Sequence, residues 1–351
     1  MIPEVFRDAR DDYVERVRAV SVSFLRNPWL FAVAALACTP WRSPPAASET
    51  PARAATSSAV ASPIADASHV TADAGTRAPS AARLDSERAK PAAIAPDGML
   101  FVPGGTFVMG SDAGGQDDEH PAHRVTLRAF FLDRTEVTNA AYAACVAART
   151  CRTPEPASSR QNHFGPDSAF RGPEQPVSSI SWDDARAYCV FVGKRLPTEA
   201  EFERAACGDD ERRYPWGNEA PSPERAVFAT SRTENVGTHP SGAGPYGHLD
   251  LAGNVWEWLE DFYDPDAYRR AGADRGVPGT CEQITRTQEA LRRSGRQGFT
   301  GTNPIPTECE HVLRGGAFNY GGDGLRSSNR VHHPGRFRLI MSGVRCAKDA
   351  E

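Results

Sequence analysis

The chain has 351 residues, 40% of them hydrophobic, and a formal net charge of −5 at pH 7. A chain of this length can bury one sizeable core, so one main domain is predicted. Lys and Arg total 40 against 45 Asp and Glu, and no basic run is interleaved with aromatic residues. A nucleic-acid partner is therefore not expected.

The first predicted element is an export signal. Residues 27–38, NPWLFAVAALAC, are mostly apolar and follow Arg26. This stretch is too short to cross a bilayer as a helix, but it has the length of the apolar core of a signal peptide. An Ala-x-Ala cleavage pattern ends directly before Cys38. We predict a signal over 1–38, lipidation of Cys38, and export to the periplasm or outer membrane, with a membrane contact only through that lipid. A buried apolar helix is the alternative.

Residues 39–97 are dominated by Ala, Ser, Pro and Thr and have almost no large apolar side chains. Such a segment cannot bury enough surface to offset the entropy lost on ordering, so a disordered tether is predicted. The folded domain is predicted over 98–348.

The folded part combines short strands with short helices. MLFVPGGTFVMG (99–110) alternates apolar residues around Pro-Gly-Gly and predicts a hairpin, and RVTLRAFFLD (124–133) is rich in β-forming residues. VTNAAYAACVAA (137–148) fits a short helix. The polar segment 265–310 is predicted to be an insertion with one small helix and a loop closed by Cys281–Cys309. The fold class is therefore α+β, with much of the chain in loops.

Two further helices carry start and stop signals in the sequence. The segment 181–194 begins with Ser181 as N-cap, has Asp184 three residues later and ends near Gly193. The same arrangement repeats over 198–208, so two capped helices are predicted on either side of the turn KRLP.

Seven segments, in order, resemble the domain of formylglycine-generating enzymes, which are also called sulfatase-modifying factors. They are VPGGTFVMGS, DEHPAHRVTLRAFFLDRTEVTNAAY, PVSSISWDDARAYCVFVGKRLPTEAEFERAA, RRYPWGNE, YGHLDLAGNVWEW, LRGGAF and SGVRCA. The resemblance spans residues 98–348. It implies a loop-rich sulfatase-modifying-factor fold that is related to C-type lectins and has little regular secondary structure.

The resemblance also implies a structural calcium ion at the GNVWEW turn. The implied ligands are Asp250, the carbonyls of Gly253 and Val255, and Glu257. Carboxylate and carbonyl oxygens from a tight turn are what Ca²⁺ selects. A plain turn with a solvated Glu257 is the alternative. A second calcium site of the family would begin near Val227, but the ligand loop that should follow is missing, so one calcium ion is predicted.

Active members of the family bind Cu(I) through two cysteines shortly after Arg-Gly-Gly-Ser and use O₂ to oxidise a substrate cysteine to formylglycine. Counted from Arg314, the cysteine positions hold Tyr320 and Leu325, and the serine position holds Ala317. Cu(I) requires soft thiolates. The resemblance therefore implies the scaffold without its copper centre, and copper is not expected. Trp256 and Tyr320 are predicted to line a remaining pocket, unless Trp256 belongs to the core.

The cysteines are predicted to form disulfides, as expected in an exported chain. With Cys38 lipidated, seven of the eight cysteines remain and one thiol is left over. The resemblance implies a Cys189–Cys346 bridge between the helical half and the last strand. Cys145 and Cys151 are close enough for a local bridge. Cys207 is then predicted to be a buried free thiol that acts as a small hydrophobic residue.

Two histidine pairs, His332-His333 and His120-x-x-His123, could supply a different metal centre, because imidazole binds iron, copper and zinc. Adjacent histidines point to different sides of a regular element, so an ordinary surface role is favoured for both pairs.

Two functions follow from these observations. The first is a non-catalytic binding or assembly module of the cell envelope, whose protein or peptide ligand is unknown. The second is an envelope oxidoreductase of altered metal chemistry on the same scaffold. Formylglycine generation itself is not expected.

Overall fold

The computed structural model of the chain describes residues 96–155, 167–270, 272–295 and 308–350. The predicted export signal with Cys38, nearly all of the predicted tether over 39–97 and parts of the predicted insertion lie outside the described residues. Along the described ranges, no helix combines the length and the apolar character that crossing a bilayer demands.

Short strands and short helices alternate with long loops. The strands are β1 Met99–Val102, β2 Gly105–Met109, β3 His123–Leu127, β4 Phe130–Asp133, β5 Trp256–Phe262, β6 His311–Arg314, β7 Val331–His333, β8 Ser342–Gly343 and β9 Ala347–Asp349. The α-helices are α1 Asn139–Ala147, α2 Trp182–Phe191, α3 Glu199–Cys207 and α4 Cys281–Arg293. The predicted loop-rich α+β fold class is confirmed.

The strands form three small sheets. Their orders are β1-β4-β9, β2-β3 and β7-β6-β5-β8. Only the pairing of β5 with β8 is parallel in these sheets, and the other strand pairs are antiparallel. The last strand of the described chain, β9, lies beside β4, so the two ends of the domain share one sheet.

The predicted hairpin over 99–110 is wrong, because β1 and β2 belong to different sheets. Met99 of β1 pairs with Asp133, whereas Gly105 of β2 pairs with Leu127. Both partners come from the β-rich segment 124–133, which crosses between the sheets alongside the Pro-Gly-Gly link. A Cβ at Gly104 would lie 2.8 Å from the backbone nitrogen of Ala129, so the two crossing links touch at a point where only glycine fits.

The predicted helix starts are present. The Ser181 side chain accepts from the Asp184 N–H, and the Asp184 carboxylate accepts from the Ser181 N–H, which completes a capping box. Thr198 and Glu201 form the same reciprocal pair at α3. Each cap stabilises its helix by about 1 kcal/mol. These caps fix where α2 and α3 begin.

The helices α2 and α3 cover the central sheet. Trp258 of β5 is fully buried, and its indole N–H donates to the carbonyl of Ile180 at 3.0 Å, so its polar atom is satisfied inside the core. Phe202 of α3 packs in a second apolar cluster that also contains Phe130 and Leu259. The central sheet therefore packs against the helices α2 and α3 and against strand β4.

Among the described residues, three disulfides are present, and they are the same pairs that the sequence analysis predicted: Cys145–Cys151, Cys189–Cys346 and Cys281–Cys309. Cys207 is a buried free thiol. Burial, followed by repulsion from Glu203, raises the pKa of Cys207 well above its ordinary value. The thiol therefore stays protonated and packs as a small apolar group.

Candidate functional site

The segment after β6 carries the positions at which the family places its serine and its two cysteines. Gly315 and Gly316 both have positive φ angles, 98° and 81°, so the chain turns sharply after Arg314. A Cβ on Gly316 would lie 2.7 Å from Leu325 Cδ2. Glycine at this position therefore allows the turn to pack directly against Leu325.

The three family positions hold no thiolate ligand for Cu(I). Ala317 is fully buried, and Leu325 is 1% exposed and packs in an apolar cluster with Tyr214, Ala226 and Ala252. Tyr320 is 37% exposed, and the burial of the rest of its side chain raises the pKa of its phenol. The segment thus supplies a phenol and apolar groups where the family has a hydroxyl and two thiols.

The two side chains predicted to line a pocket contact each other. The rings of Trp256 and Tyr320 meet edge to face, with centroids 5.2 Å apart. Trp256 is 2% exposed and belongs to the same core cluster as the Cys189–Cys346 bridge, whereas Tyr320 reaches the surface. Trp256 is therefore a core residue, the alternative that the sequence analysis left open.

The turn predicted to bind calcium lies directly before β5. Asp250, Gly253 and Asn254 all have positive φ angles, and a Cβ on Gly253 would lie 2.5 Å from the carbonyl oxygen of Val227. Only glycine fits there. The Asp250 carboxylate accepts a hydrogen bond of 2.6 Å from the N–H of Gly237. The turn is thus tightly constrained and its carboxylate faces inward.

Glu257 is buried rather than solvated, so the plain-turn alternative is wrong on this point. It forms a two-pronged ion pair with Arg345, whose Nε and Nη2 donate to the carboxylate oxygens at 2.6 and 2.7 Å. The same guanidinium donates to the carbonyls of Leu249 at 3.0 Å and Asp250 at 2.9 Å. The Arg345 guanidinium therefore binds both carboxylate oxygens of Glu257.

Glu136 brings a third carboxylate to this turn, and the sequence analysis missed it. Glu136 is 2% exposed, and its Oε1 finds no hydrogen-bond partner among the described residues. Burial, and then repulsion from Asp250 and Glu257, raises the pKa of Glu136 well above its ordinary value. Glu136, Asp250, Glu257 and Arg345 form what we call the acidic cluster.

The acidic cluster brings hard oxygen donors together beside the turn. Its three carboxylates and one guanidinium carry a formal charge of −2 when all are ionised (three negative charges and one positive). Ca²⁺ is bound by such hard oxygens. Within the described ranges, no group of three or more His, Cys, Asp or Glu side chains is placed to hold a metal ion, so a cation at this turn would depend on backbone carbonyls as further donors.

Comparison with known proteins assigns the family. The profile of the family described as "Sulfatase-modifying factor enzyme 1-like domain" matches residues 85–350. The chain belongs to this family.

Two relatives show how far the similarity extends. The formylglycine-generating enzyme of Thermomonospora curvata is 36% identical over 234 residues, which are 52% of this chain and 77% of the relative. The serine/threonine-protein kinase pkn1 of Chlamydia caviae is 35% identical over 284 residues, 75% of this chain and 40% of the kinase. This chain therefore spans less than half of the kinase-named protein.

A solved structure supports the fold. The structure of PvdO from Pseudomonas aeruginosa matches with a TM-score of 0.56 and 24% sequence identity, over 72% of this chain and 94% of PvdO. At this identity the likeness shows the sulfatase-modifying-factor fold alone.

In this sulfatase-modifying-factor domain, His332 and His333 face different surroundings, as expected for neighbours on a strand. His332 Nδ1 lies 2.5 Å from a carboxylate oxygen of Glu310, and its ring stacks on Tyr263 at 3.9 Å. His333 stacks on Phe337 at 5.8 Å. The predicted surface role is wrong for His332, which is 7% exposed.

The other histidine pair is also divided. His120 Nδ1 lies 3.7 Å from Asp112, and the ring of His123 contacts Tyr268 at a centroid distance of 4.6 Å. Both histidines are half-buried. The two histidines of each pair therefore contact different protein groups, and neither pair is arranged to bind one metal ion together.

A second buried ionic network was not predicted. Arg314 Nε donates to Glu199 at 3.0 Å, Arg314 Nη2 lies 2.6 Å from Glu203, and Arg330 Nε donates to Glu199 at 2.7 Å. The only local signal is the spacing of Glu199 and Glu203, which lie on one face of α3. Glutamates at that spacing on a helix usually face solvent. The sequence alone therefore predicts that Glu199 and Glu203 are exposed, whereas both are buried.

Proposed function

We propose that this sulfatase-modifying-factor domain acts as a non-catalytic binding or assembly module of the cell envelope, with a protein or peptide ligand. The observation that carries the proposal is the pair of side chains at Tyr320 and Leu325. A phenol and a buried aliphatic chain cannot replace two thiolates as ligands of Cu(I). The family scaffold is retained around these positions, while the groups that hold the family's copper are replaced.

The other cysteines of the described residues do not provide a substitute pair. Six of these seven cysteines form disulfides, and the seventh is Cys207. The Cys207 thiol lies on α3, 4.0 Å from the carbonyl of Val108, and its raised pKa keeps it protonated. Soft-metal binding needs the thiolate, so Cys207 is a poor candidate ligand.

The full-length chain should leave a Cys-x-Pro-x-Arg peptide unchanged in the presence of Cu(I), O₂ and a reductant. Mass spectrometry of the peptide measures conversion of cysteine to the aldehyde, and the Thermomonospora curvata enzyme serves as the positive control. Aldehyde formation by this chain would overturn the proposal. If that activity disappeared in Cys207→Ala, the missing thiolate would be assigned to Cys207.

We also propose that the chain is exported and carries a lipid on Cys38. The three disulfides of the domain support export, because structural disulfides persist in oxidising compartments. Cells grown with a radioactive fatty acid should label the wild-type chain, and the label should be lost in Cys38→Ser. The matched control Cys207→Ser should keep the label; a labelled Cys38→Ser chain would contradict the proposal.

The acidic cluster is proposed to hold one structural Ca²⁺. Asp250 and Glu136 would supply carboxylate oxygens, and Gly253 and Val255 would supply backbone carbonyls. Glu257 would act indirectly by holding Arg345, since both of its oxygens are already bound. When bound, the ion supplies two positive charges that balance the buried carboxylates. The test is the calcium dependence of stability in a Glu136→Gln variant.

The alternative of an oxidoreductase with a histidine-bound metal has weaker support. His332 and His333 contact different rings, and His332 is already engaged by Glu310. Metal analysis of the purified chain separates the two readings, because stoichiometric iron or copper would favour the enzyme and calcium alone would favour the module.

A further inference from the structure

The Cys281–Cys309 bridge differs from the other two disulfides in its exposure. Cys281 is exposed and Cys309 is partly exposed. The four cysteines of the other two bridges are at most 6% exposed. Thiol–disulfide exchange requires an attacking thiolate to reach a sulfur atom. Among the three bridges of the described residues, Cys281–Cys309 is therefore the one that an external thiol reaches most directly.

Cys281 is the first residue of helix α4, which has 13 residues. Thr280 caps the helix, because its side chain accepts from the Gln283 N–H while the Gln283 side chain accepts from the Thr280 N–H. The start of a helix carries a partial positive charge, and it stabilises a cysteine thiolate placed there. The position of Cys281 therefore favours its thiolate form once the bridge is open.

A hydroxyl one turn along α4 contacts the second sulfur. Thr285 Oγ1 lies 3.5 Å from Cys309 Sγ. A disulfide sulfur carries no proton, so the Thr285 hydroxyl is the donor. The same donor stabilises the thiolate that Cys309 becomes when it leaves, and a stabilised thiolate leaves faster. The two sulfurs thus differ: Cys281 is open to attack, and Cys309 is prepared to leave.

The carboxylates next to the two cysteines are each paired with a basic side chain. The pairs are Glu282 with Arg286, Glu308 with Arg336 and Glu310 with His332. Uncompensated carboxylates would repel both an approaching thiolate and the thiolates that form. Pairing reduces this repulsion, so the acidic neighbours do not close the bridge to exchange.

Helix α4 has its own anchor in the fold. Ile284 is fully buried and Gln288 is 1% exposed, so one side of the helix packs against the domain. The other two disulfides join parts of the chain outside α4. Opening the Cys281–Cys309 bridge should therefore leave the domain folded, with α4 still packed.

We propose that Cys281–Cys309 is a reversible thiol–disulfide exchange site, which takes two electrons from a dithiol or from two thiol molecules. A thiolate of the donor attacks Cys281 Sγ, the S–S bond breaks, and Cys309 leaves as a thiolate that accepts from the Thr285 hydroxyl. A second donor thiolate then attacks the donor sulfur of this mixed disulfide and releases Cys281 as a thiolate. The donor ends as a disulfide, and the two protons of its thiols reach Cys281 and Cys309 through water. The proposal is independent of calcium and of the proposed binding-module function.

Reduction of the purified full-length chain without denaturant tests the proposal, with reduced glutathione and dithiothreitol as separate probes. Samples are quenched with N-ethylmaleimide at successive times, and mass spectrometry of the digested chain measures the reduced fraction at each cysteine. The Cys281–Cys309 bridge should open at least about tenfold faster than the two buried bridges, since access limits exchange. The faster of the two probes identifies whether a monothiol or a dithiol is the better donor. Oxidised glutathione added afterwards should close the bridge again.

Thr285→Val separates reactivity from folding. Valine matches threonine in shape and in helix propensity, so the unfolding temperature should stay unchanged while opening of the bridge slows severalfold. Thr287→Val is the matched control on the same helix, because the Thr287 hydroxyl donates to the carbonyl of Gln283, and it should open at the wild-type rate.

Three results would overturn the proposal. The first is a Cys281–Cys309 bridge that opens no faster than the buried bridges or does not re-form. The second is a Thr285→Val chain that opens as fast as the wild type. The third is loss of the near-ultraviolet circular dichroism of the domain when only this bridge is open, because the bridge would then be a structural support of the fold.

Discussion

Replacing both Cys189 and Cys346 by alanine should lower the free energy of unfolding by about 5 kcal/mol. The bridge joins residues 157 positions apart, so its loss releases a long loop in the unfolded chain. Both cysteines are fully buried in the core cluster that contains Trp256 and Trp258. Because the free energy of unfolding of a whole domain is about 5–15 kcal/mol, losing this bridge removes much of it.

Equilibrium denaturation with urea, monitored by tryptophan fluorescence, measures this loss. The matched control is the Cys145→Ala/Cys151→Ala chain, whose bridge is also buried but spans only 6 positions. Chain entropy predicts a loss of about 2 kcal/mol for that control. Equal losses in the two double variants would show that loop length is not what makes the longer bridge stabilising.

Calcium should stabilise the folded chain by about 2.7 kcal/mol at a concentration one hundred times its dissociation constant. Glu136→Gln should remove most of this gain, because the neutral amide is a weaker calcium ligand. Without calcium, the same variant should be at least as stable as the wild type, because Asp250 and Glu257 no longer repel a buried charge at that position. One substitution is thus expected to act in opposite directions with and without the ion.

Thermal unfolding in CaCl₂ and in EGTA measures both effects. The exposed Glu219→Gln is the charge-matched control and should keep the full calcium response. Glu257→Gln should destabilise the chain by about 3–5 kcal/mol in both buffers, because it breaks the buried pair with Arg345. A wild-type chain that gains nothing from calcium, or a Glu136→Gln chain with an undiminished response, would refute the assignment of Glu136.

The parts of the fold that local interactions decide were predictable. The capping boxes at Ser181 and Thr198 use contacts within four residues of each other, so their spacing in the sequence suffices. The strand character of 99–110 was also visible, but the pairing was not. Alternation shows that a segment can be a strand, whereas its partner depends on which distant segment lies beside it.

The candidate site also has one part that the sequence predicts and one part that it does not. That Tyr320 and Leu325 provide no thiolate is a property of the residues themselves, and the family resemblance is enough to recognise their positions. Glu136 carries no such signal, because a lone glutamate between strand and helix usually faces solvent. Only the folded chain brings it to Asp250, Glu257 and Arg345, more than one hundred positions away.

The amino-acid sequence by itself determined the fold family, the capped helices, the cysteines available for bridging and the replacement of the copper ligands, because each depends on residue identity or short spacing. Tertiary structure alone decided which charges are buried, which of them are paired and which disulfide is exposed. The reason is physical: desolvation and ion pairing depend on every element packed around a group, and those elements come from distant parts of the chain.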